Sequence, residues 1–450
     1  MGFLQKNKNF YKSFFILTLG VGLQNVLAFS VNLSDSILLG AYSENALAAV
    51  AIVNQIQFLL QMVVLGVSEG VVVLASRYWG QNDLEPIGRV TGIGLRIGLL
   101  SSLIIWGFVF FMTGQVIGLL TNDPGVLAES VKYARIICFS YMFFALTNIF
   151  LAAMRSVETI KIAFIISSST LAINVTLNLI LIYGNLGAPR MGIQGSAVAT
   201  LLARIVELII VCFYIFRLDK KLKLKIKTLL KKPRRDMLKH FFKVGMPVTY
   251  GNLSWGVAMA VQTAIIGRLG LTTIAANGIA TTVFQIVSVV AYGGASAATV
   301  LTGKVIGQGD MAAIKKNTRT MQVLFLLIGA ASGITLFLFR NLIIGAWAVT
   351  PDAQSLALQF MGILSVTVVG TAYQVACLTG IVRGGGDTKF VFYNDIIFMW
   401  CIVLPLSLLS AFVFHFSPVV VFACLKMDQI LKCFVAVFKV NRYTWIKKFN

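Results

Sequence analysis

Long apolar windows with almost no charge recur along the whole chain, separated by short polar breaks. Each reaches the roughly 20 residues a helix needs to cross a hydrocarbon core. The windows predict spans at 15–39, 46–77, 90–113, 128–153, 161–183, 191–216, 245–268, 274–303, 318–339, 355–381, 389–413 and 417–440, about twelve helices in all. The short alternating segments of a β-barrel do not fit this pattern. The predicted class is an all-α polytopic membrane protein.

The pattern also repeats. Sliding the sequence along itself by about 227 residues makes landmarks coincide. Gly40 falls on Gly267, Ala48-Ala49 on Ala275-Ala276, Gly66 on Gly293, and Gly80-Gln81-Asn82-Asp83 on Gly307-Gln308-Gly309-Asp310. One residue further along, Arg155 meets Arg383. Halves with an even number of spans enter the membrane from the same side, which makes this a parallel repeat. The expected division is a six-helix lobe over 1–216, a basic linker over 217–244 and a second six-helix lobe over 245–450. Two lobes around a central cavity suit alternating access, although a duplicated structural bundle would repeat in the same way.

Composition agrees: 58% of the 450 residues are hydrophobic and 12% charged, with a mean hydropathy of +0.87. The net charge of +22 would suggest a nucleic-acid partner in a soluble protein. Here the basic residues gather on one side. Lys6, Lys8 and Lys12 precede the first span, and the linker runs from Arg217 to Lys243 with ten lysines and arginines between them. The positive-inside rule then places the linker and both termini in the cytoplasm of a bacterial-type membrane, with no nucleic-acid partner. Within the linker, Lys221-Leu222-Lys223-Leu224-Lys225-Ile226-Lys227 alternates with period two. It reads as a solvated segment drawn to anionic headgroups, each lysine worth about 1 kcal/mol near the surface. The basic, then apolar, start continues through Leu39 without a clear small-residue cleavage site, so it is expected to be retained as a helix. The six cysteines show no paired metal-ligand spacing and read as reduced, packed thiols. No phosphate-binding loop or His-Glu-x-x-His is present, and His240 and His415 are the two histidines. The sequence gives no support to an enzyme or to a cofactor.

Five acidic residues fall well inside predicted spans: Asp35, Glu69, Glu207, Asp395 and Asp428. An ionised group at mid-bilayer costs on the order of 3 kcal/mol, so such residues face the bundle interior and serve a purpose. Asp35 follows Asn32 by one turn and Gln24 by about three, making a polar stripe. Its repeat partner is Gln262, which cannot ionise. A buried aspartate can alternate between a protonated form and an ionised or metal-bound form, which is a coupling device. Asn174 and Asn178 share one helical face, and Thr200 opens the next span. Their oxygens suit a small hard cation beside Asp35, while interhelical hydrogen bonding explains two asparagines equally well. Glu69, whose repeat partner is Ser296, is a second candidate titrating group. Glu207 lies within pairing distance of Arg204, Asp395 reads as water-facing, and Asp428 as structural.

The segments Asn32-Leu33-Ser34-Asp35-Ser36-Ile37-Leu38-Leu39-Gly40, Ala46-Leu47-Ala48-Ala49-Val50, Gly80-Gln81-Asn82-Asp83, Gly245-Met246-Pro247 and Gly380-Ile381-Val382-Arg383-Gly384-Gly385-Gly386-Asp387-Thr388 together resemble the multidrug and toxic compound extrusion family of cation-coupled antiporters. The resemblance implies two lobes forming a V, and export of organic cations or other amphiphiles in exchange for H⁺ or Na⁺. It implies that Asp35 is the first-helix aspartate that takes up the coupling ion, with Na⁺ as one candidate, and that Asn174 and Thr200 stand beside it. Asn178 occupies a position where some members carry an aspartate. Trp255 and Ala372 stand where some sodium-coupled members appear to carry acidic residues, so no second-lobe cation site is expected there. The implied partners are small organic substrates and membrane lipids, and the implied form is a monomer. The alternative is a flippase for lipids or lipid-linked saccharides, which a cavity rich in cationic side chains would favour. Arg96, Arg135 and Arg204 are the clearest basic residues inside first-lobe spans.

Overall fold

A computed structural model describes residues 4–345, 347 and 349–447. Among them the regular structure is helical, with no strand. In chain order the long elements are α1 (Lys8–Tyr42), α2 (Glu44–Gly80), α3 (Leu84–Phe111), α4 (Pro124–Ile137 and Ser140–Ser156), α5 (Lys161–Leu181), α6 (Ile193–Leu218), α7 (Arg235–Gly267), α8 (Leu271–Gln308), α9 (Met311–Gly345), α10 (Pro351–Val382), α11 (Thr388–Val413) and α12 (Pro418–Lys426 and Asp428–Asn441). Each predicted span falls on one of these helices. Among the described residues nine are long and apolar enough to cross a membrane, and the two parts of α4, bent by 50°, make a tenth. The other two are α7, uncharged after Lys243 but interrupted by polar Tyr250, Asn252, Ser254 and Gln262, and α12, which holds Lys426, Asp428 and Lys432.

The repeat seen in the sequence fixes where helices begin. The same shift of about 227 residues carries Lys8 to Arg235, Glu44 to Leu271, Leu84 to Met311, Pro124 to Pro351 and Lys161 to Thr388, all first residues of helices. The starts are built alike. Asp123 accepts hydrogen bonds from Gly125 N and Val126 N ahead of α4, and Thr350 accepts one from Ala353 N ahead of α10, each followed by a proline at the first helical position. A side-chain oxygen satisfies donors that the first turn leaves open, and proline lacks the donor it would otherwise waste.

Two compact units result, Leu23–Thr249 and Met1–Gly22 with Tyr250–Asn450. Their limits fall inside α1 and α7, not at the linker ends 216 and 245. Small residues provide the local reason. In the first unit a Cβ on Gly66 of α2 would lie 2.4 Å from Thr249 Cα of α7, and one on Gly70 would lie 3.1 Å from Gly245 Cα. In the second, a Cβ on Gly293 of α8 would lie 2.3 Å from Thr18 O of α1. Gly66 and Gly293 are repeat partners, so the same close crossing is made twice, once in each unit. The first unit has a core that includes Val53, Leu60, Tyr133, Ile137 and Tyr141. The second is centred on residues such as Met361, Leu364 and Val403, with Phe360 and Phe422 stacked 4.1 Å apart.

The linker departs from its reading as a solvated segment. Its lysines 221, 223, 225 and 227 are exposed, but Leu222, Leu224 and Leu229 are buried in the first unit. The short helix Ile226–Leu230 ends against α3, where Arg96 Nη2 donates to the carbonyls of Leu229, Leu230 and Lys231 at 3.1, 2.9 and 3.0 Å. Gly92 permits the approach, since a Cβ there would lie 2.5 Å from Leu229 O. Period-two alternation produced a docked strip because its apolar face found a partner.

Candidate functional site

The site lies where the end of α1 meets the turn between α5 and α6. Tyr183 Oη donates to Leu38 O at 2.7 Å, and the rings of Tyr42 and Tyr183 meet edge-on at 6.5 Å. Gly192, at φ +55°, leaves room for the Tyr42 hydroxyl, which a Cβ would approach to 2.5 Å. Gly195 presses the start of α6 onto the end of α5, with a would-be Cβ 2.6 Å from Leu181 O. These contacts fix three helix ends against one another. Side chains a few turns inside then meet in register.

Asn178 Nδ2 donates to Asp35 Oδ1 and, at 3.1 Å, to Asn174 Oδ1; Asn174 Nδ2 donates to Thr200 Oγ1 at 3.0 Å. Asp35 and Thr200 are 6% exposed, and both asparagines are fully buried. Four residues from three helices thus form one continuous chain of hydrogen bonds in an apolar surround. Its members hold each other's rotamers, because each alternative would strand a buried polar group. Asn178 Oδ1 is buried without a donor. Arg204, one turn beyond Thr200, bonds Glu207 at 2.7 Å, lies over the Phe144 ring at 5.0 Å, and acts electrostatically on Asp35. Tyr133 of α4 also lies within electrostatic reach of Asp35. Nothing in its sequence surroundings marked it, because its place depends on how α4 packs.

The remaining candidates stand apart from this chain. Glu69 is bound to Arg155 Nη2 at 2.8 Å with both side chains largely buried, so it forms an ion pair. Gln24 is half-buried and Asn32 exposed. Gln262 is buried in the other unit, where its amide donates to Met399 Sδ. Ala372 is buried and Trp255 exposed. Asp395, expected to face water, binds Lys432 at 2.9 Å, and Asp428 shares that lysine at 3.3 Å.

One buried carboxylate, two amides and a hydroxyl present the oxygens that a proton or a small monovalent cation requires. Asp35, Asn178, Asn174 and Thr200 are the residues that would hold it, with one negative charge among them. A buried ionisable cluster of this kind, in a chain of twelve mostly apolar helices, suits a polytopic membrane transporter. The MatE family model matches residues 21–180 and 247–409, and the chain belongs to that family. It is 23% identical to a protein of Bacillus subtilis (strain 168) named "Uncharacterized transporter YisQ", over 97% of this chain and 95% of that one. It is 28% identical to a protein of Photorhabdus laumondii named "Probable multidrug resistance protein NorM", over 84% and 82% of the two chains. The fold superposes on a mutant of the Vibrio cholerae MATE transporter VcmN with a TM-score of 0.88 at 16% identity, covering 98% of each chain.

Proposed function

We propose that this protein is a secondary antiporter that exports small organic cations or amphiphiles in exchange for H⁺ or Na⁺ taken up at Asp35. The carrying observation is the buried chain from Asp35 through Asn178 and Asn174 to Thr200. When Asp35 is ionised, Asn178 supplies the donor it needs. When the carboxyl takes a proton it becomes a donor, and the unpartnered Asn178 Oδ1 is the acceptor nearest in chemistry. Loading an ion therefore rearranges hydrogen bonds that tie α1 to α5 and α6. A local change of charge becomes a change in helix packing, which is what coupling requires.

In the cycle, outward-facing protein loads the ion and releases substrate; inward-facing protein releases the ion and loads substrate from the cytoplasm or inner leaflet. Both termini would lie in the cytoplasm, with the monomer as working unit. One cation moving inward through 100 mV releases about 2.3 kcal/mol, enough to hold about a fiftyfold gradient of a neutral substrate.

The flippase reading called for free cationic side chains. Of Arg96, Arg135 and Arg204, Arg204 is committed to Glu207 and Arg96 to linker carbonyls, and Arg135 lies exposed on α4; two of the three being so engaged supports drug export over that alternative. Uptake of a fluorescent organic cation into everted vesicles under an imposed pH or Na⁺ gradient tests the proposal. Uptake that Asp35→Asn abolishes supports it, and the effective gradient names the ion. Equal uptake by both forms would reduce Asp35 to a structural residue.

A further inference from the structure

Helix α12 is interrupted at Met427 and restarts at Asp428. One turn on, Lys432 Nζ lies 2.9 Å from Asp395 Oδ1 of α11 and 3.3 Å from Asp428 Oδ2. Asp428 and Lys432 are almost wholly buried, while the Asp395 side chain is 33% exposed. Gln429 orients the deeper carboxylate, its Nε2 donating to both Asp428 oxygens at 3.0 Å. Its Oε1 accepts from Thr371 Oγ1 at 3.0 Å and Gln374 Nε2 at 2.9 Å, both on α10. Two carboxylates held in place thus converge on one ammonium inside a membrane-spanning unit. The other nearby cation, Lys426, sits over the rings of Phe284 and Phe422 at 5.2 and 5.8 Å. Tyr292 of α8 and Cys433 of α12 also lie near enough to Asp428 to feel its charge.

Charged residues at this depth are held there by a partner or a purpose. Lys432 faces both carboxylates at once, and Asp395, with a third of its side chain exposed, gives the site one accessible side. We infer that Lys432 is a tethered monovalent cation filling a two-carboxylate cation site, Asp395 with Asp428, and that removing its ammonium opens that site to free Na⁺. The site lies away from Gln262, the repeat position of Asp35.

Binding tests the inference separately from transport, so the two readings fail independently. The full chain carrying Asp35→Asn, which silences the first-unit site, is compared with the same chain carrying Lys432→Met as well. Melting temperature is followed in NaCl and in choline chloride at equal ionic strength, with ²²Na⁺ binding measured alongside. The single variant should show no Na⁺-specific response. The double variant should melt lower in choline, recover in Na⁺, and bind Na⁺ saturably, and adding Asp395→Asn should abolish both effects. Lys432→Arg in place of Lys432→Met should leave the chain insensitive to Na⁺. A folded double variant that treats the two salts alike overturns the inference. If Lys432→Met does not fold, Lys432→Gln, which keeps a hydrogen-bonding side chain and both carboxylates, takes its place in the double variant; a folded protein that then treats the two salts alike is equally fatal.

Discussion

Asn178 donates a single amide group to both the Asp35 carboxylate and the Asn174 carbonyl, although Asp35 and Asn178 stand 143 residues apart in the chain. This shared donor makes the carboxylate and the α5 face one unit. Changing the charge of Asp35 must change what Asn178 does.

Asp35→Asn is nearly isosteric and keeps a hydrogen-bonding side chain, so the protein should fold with a melting temperature within a few degrees of the parent. Gradient-driven uptake should fall at least about tenfold, equivalent to 1.4 kcal/mol of lost coupling. Vesicle uptake, normalised to folded protein by size-exclusion chromatography, checks both halves of this expectation.

Asn178→Asp places a second carboxylate beside the first. Two negative charges in one buried site attract a small cation more strongly, so half-saturation for Na⁺ should fall about tenfold or more, while Asn178→Leu should abolish saturable binding. Equilibrium ²²Na⁺ binding to purified protein distinguishes the two variants.

Glu69→Gln leaves the largely buried Arg155 without its counter-charge. Removing one partner of such a pair costs about 3 kcal/mol, visible as a clear drop in melting temperature. Replacing both, Glu69→Gln with Arg155→Met, should recover most of that loss and retain transport, as expected of an ion pair that holds α2 to α4 without loading an ion.

Gly66→Ala forces a Cβ into the Thr249 backbone, and overpacking of this kind costs about 1 to 3 kcal/mol. Gly107→Ala, on α3 with nothing within 4 Å of the new Cβ, should be neutral or slightly stabilising. Thermal melts of the two side by side separate a packing requirement from a general intolerance of change at glycine.

Arg96→Ala removes a donor shared by three linker carbonyls. The linker should loosen, and trypsin should cut at its exposed lysines severalfold faster in limited proteolysis. Unchanged cleavage would mean that the buried leucines alone dock it.

Hydrophobic length and its repeat determined the twelve spans, their order and their paired beginnings, because a helix in lipid must satisfy its own backbone and needs a fixed number of apolar residues to do so. The cost of a carboxylate in that setting singled out Asp35, and helical spacing put Asn174 and Asn178 on one face. Other features were decided by contacts between distant segments. Glycines too small to keep backbones apart bring α2 against α7 and α8 against α1, so the compact units divide inside helices. The same kind of approach at Gly195 brings Thr200 to Asn174. The linker leucines are buried because α3 offers Gly88 and Gly92, and Asp395, unremarkable on its own helix, meets Lys432 because α11 and α12 lie side by side. Periodicity reports which face of an element is apolar or polar. Which other face it meets depends on shape and on pairing across the fold, and those are properties of the packed chain.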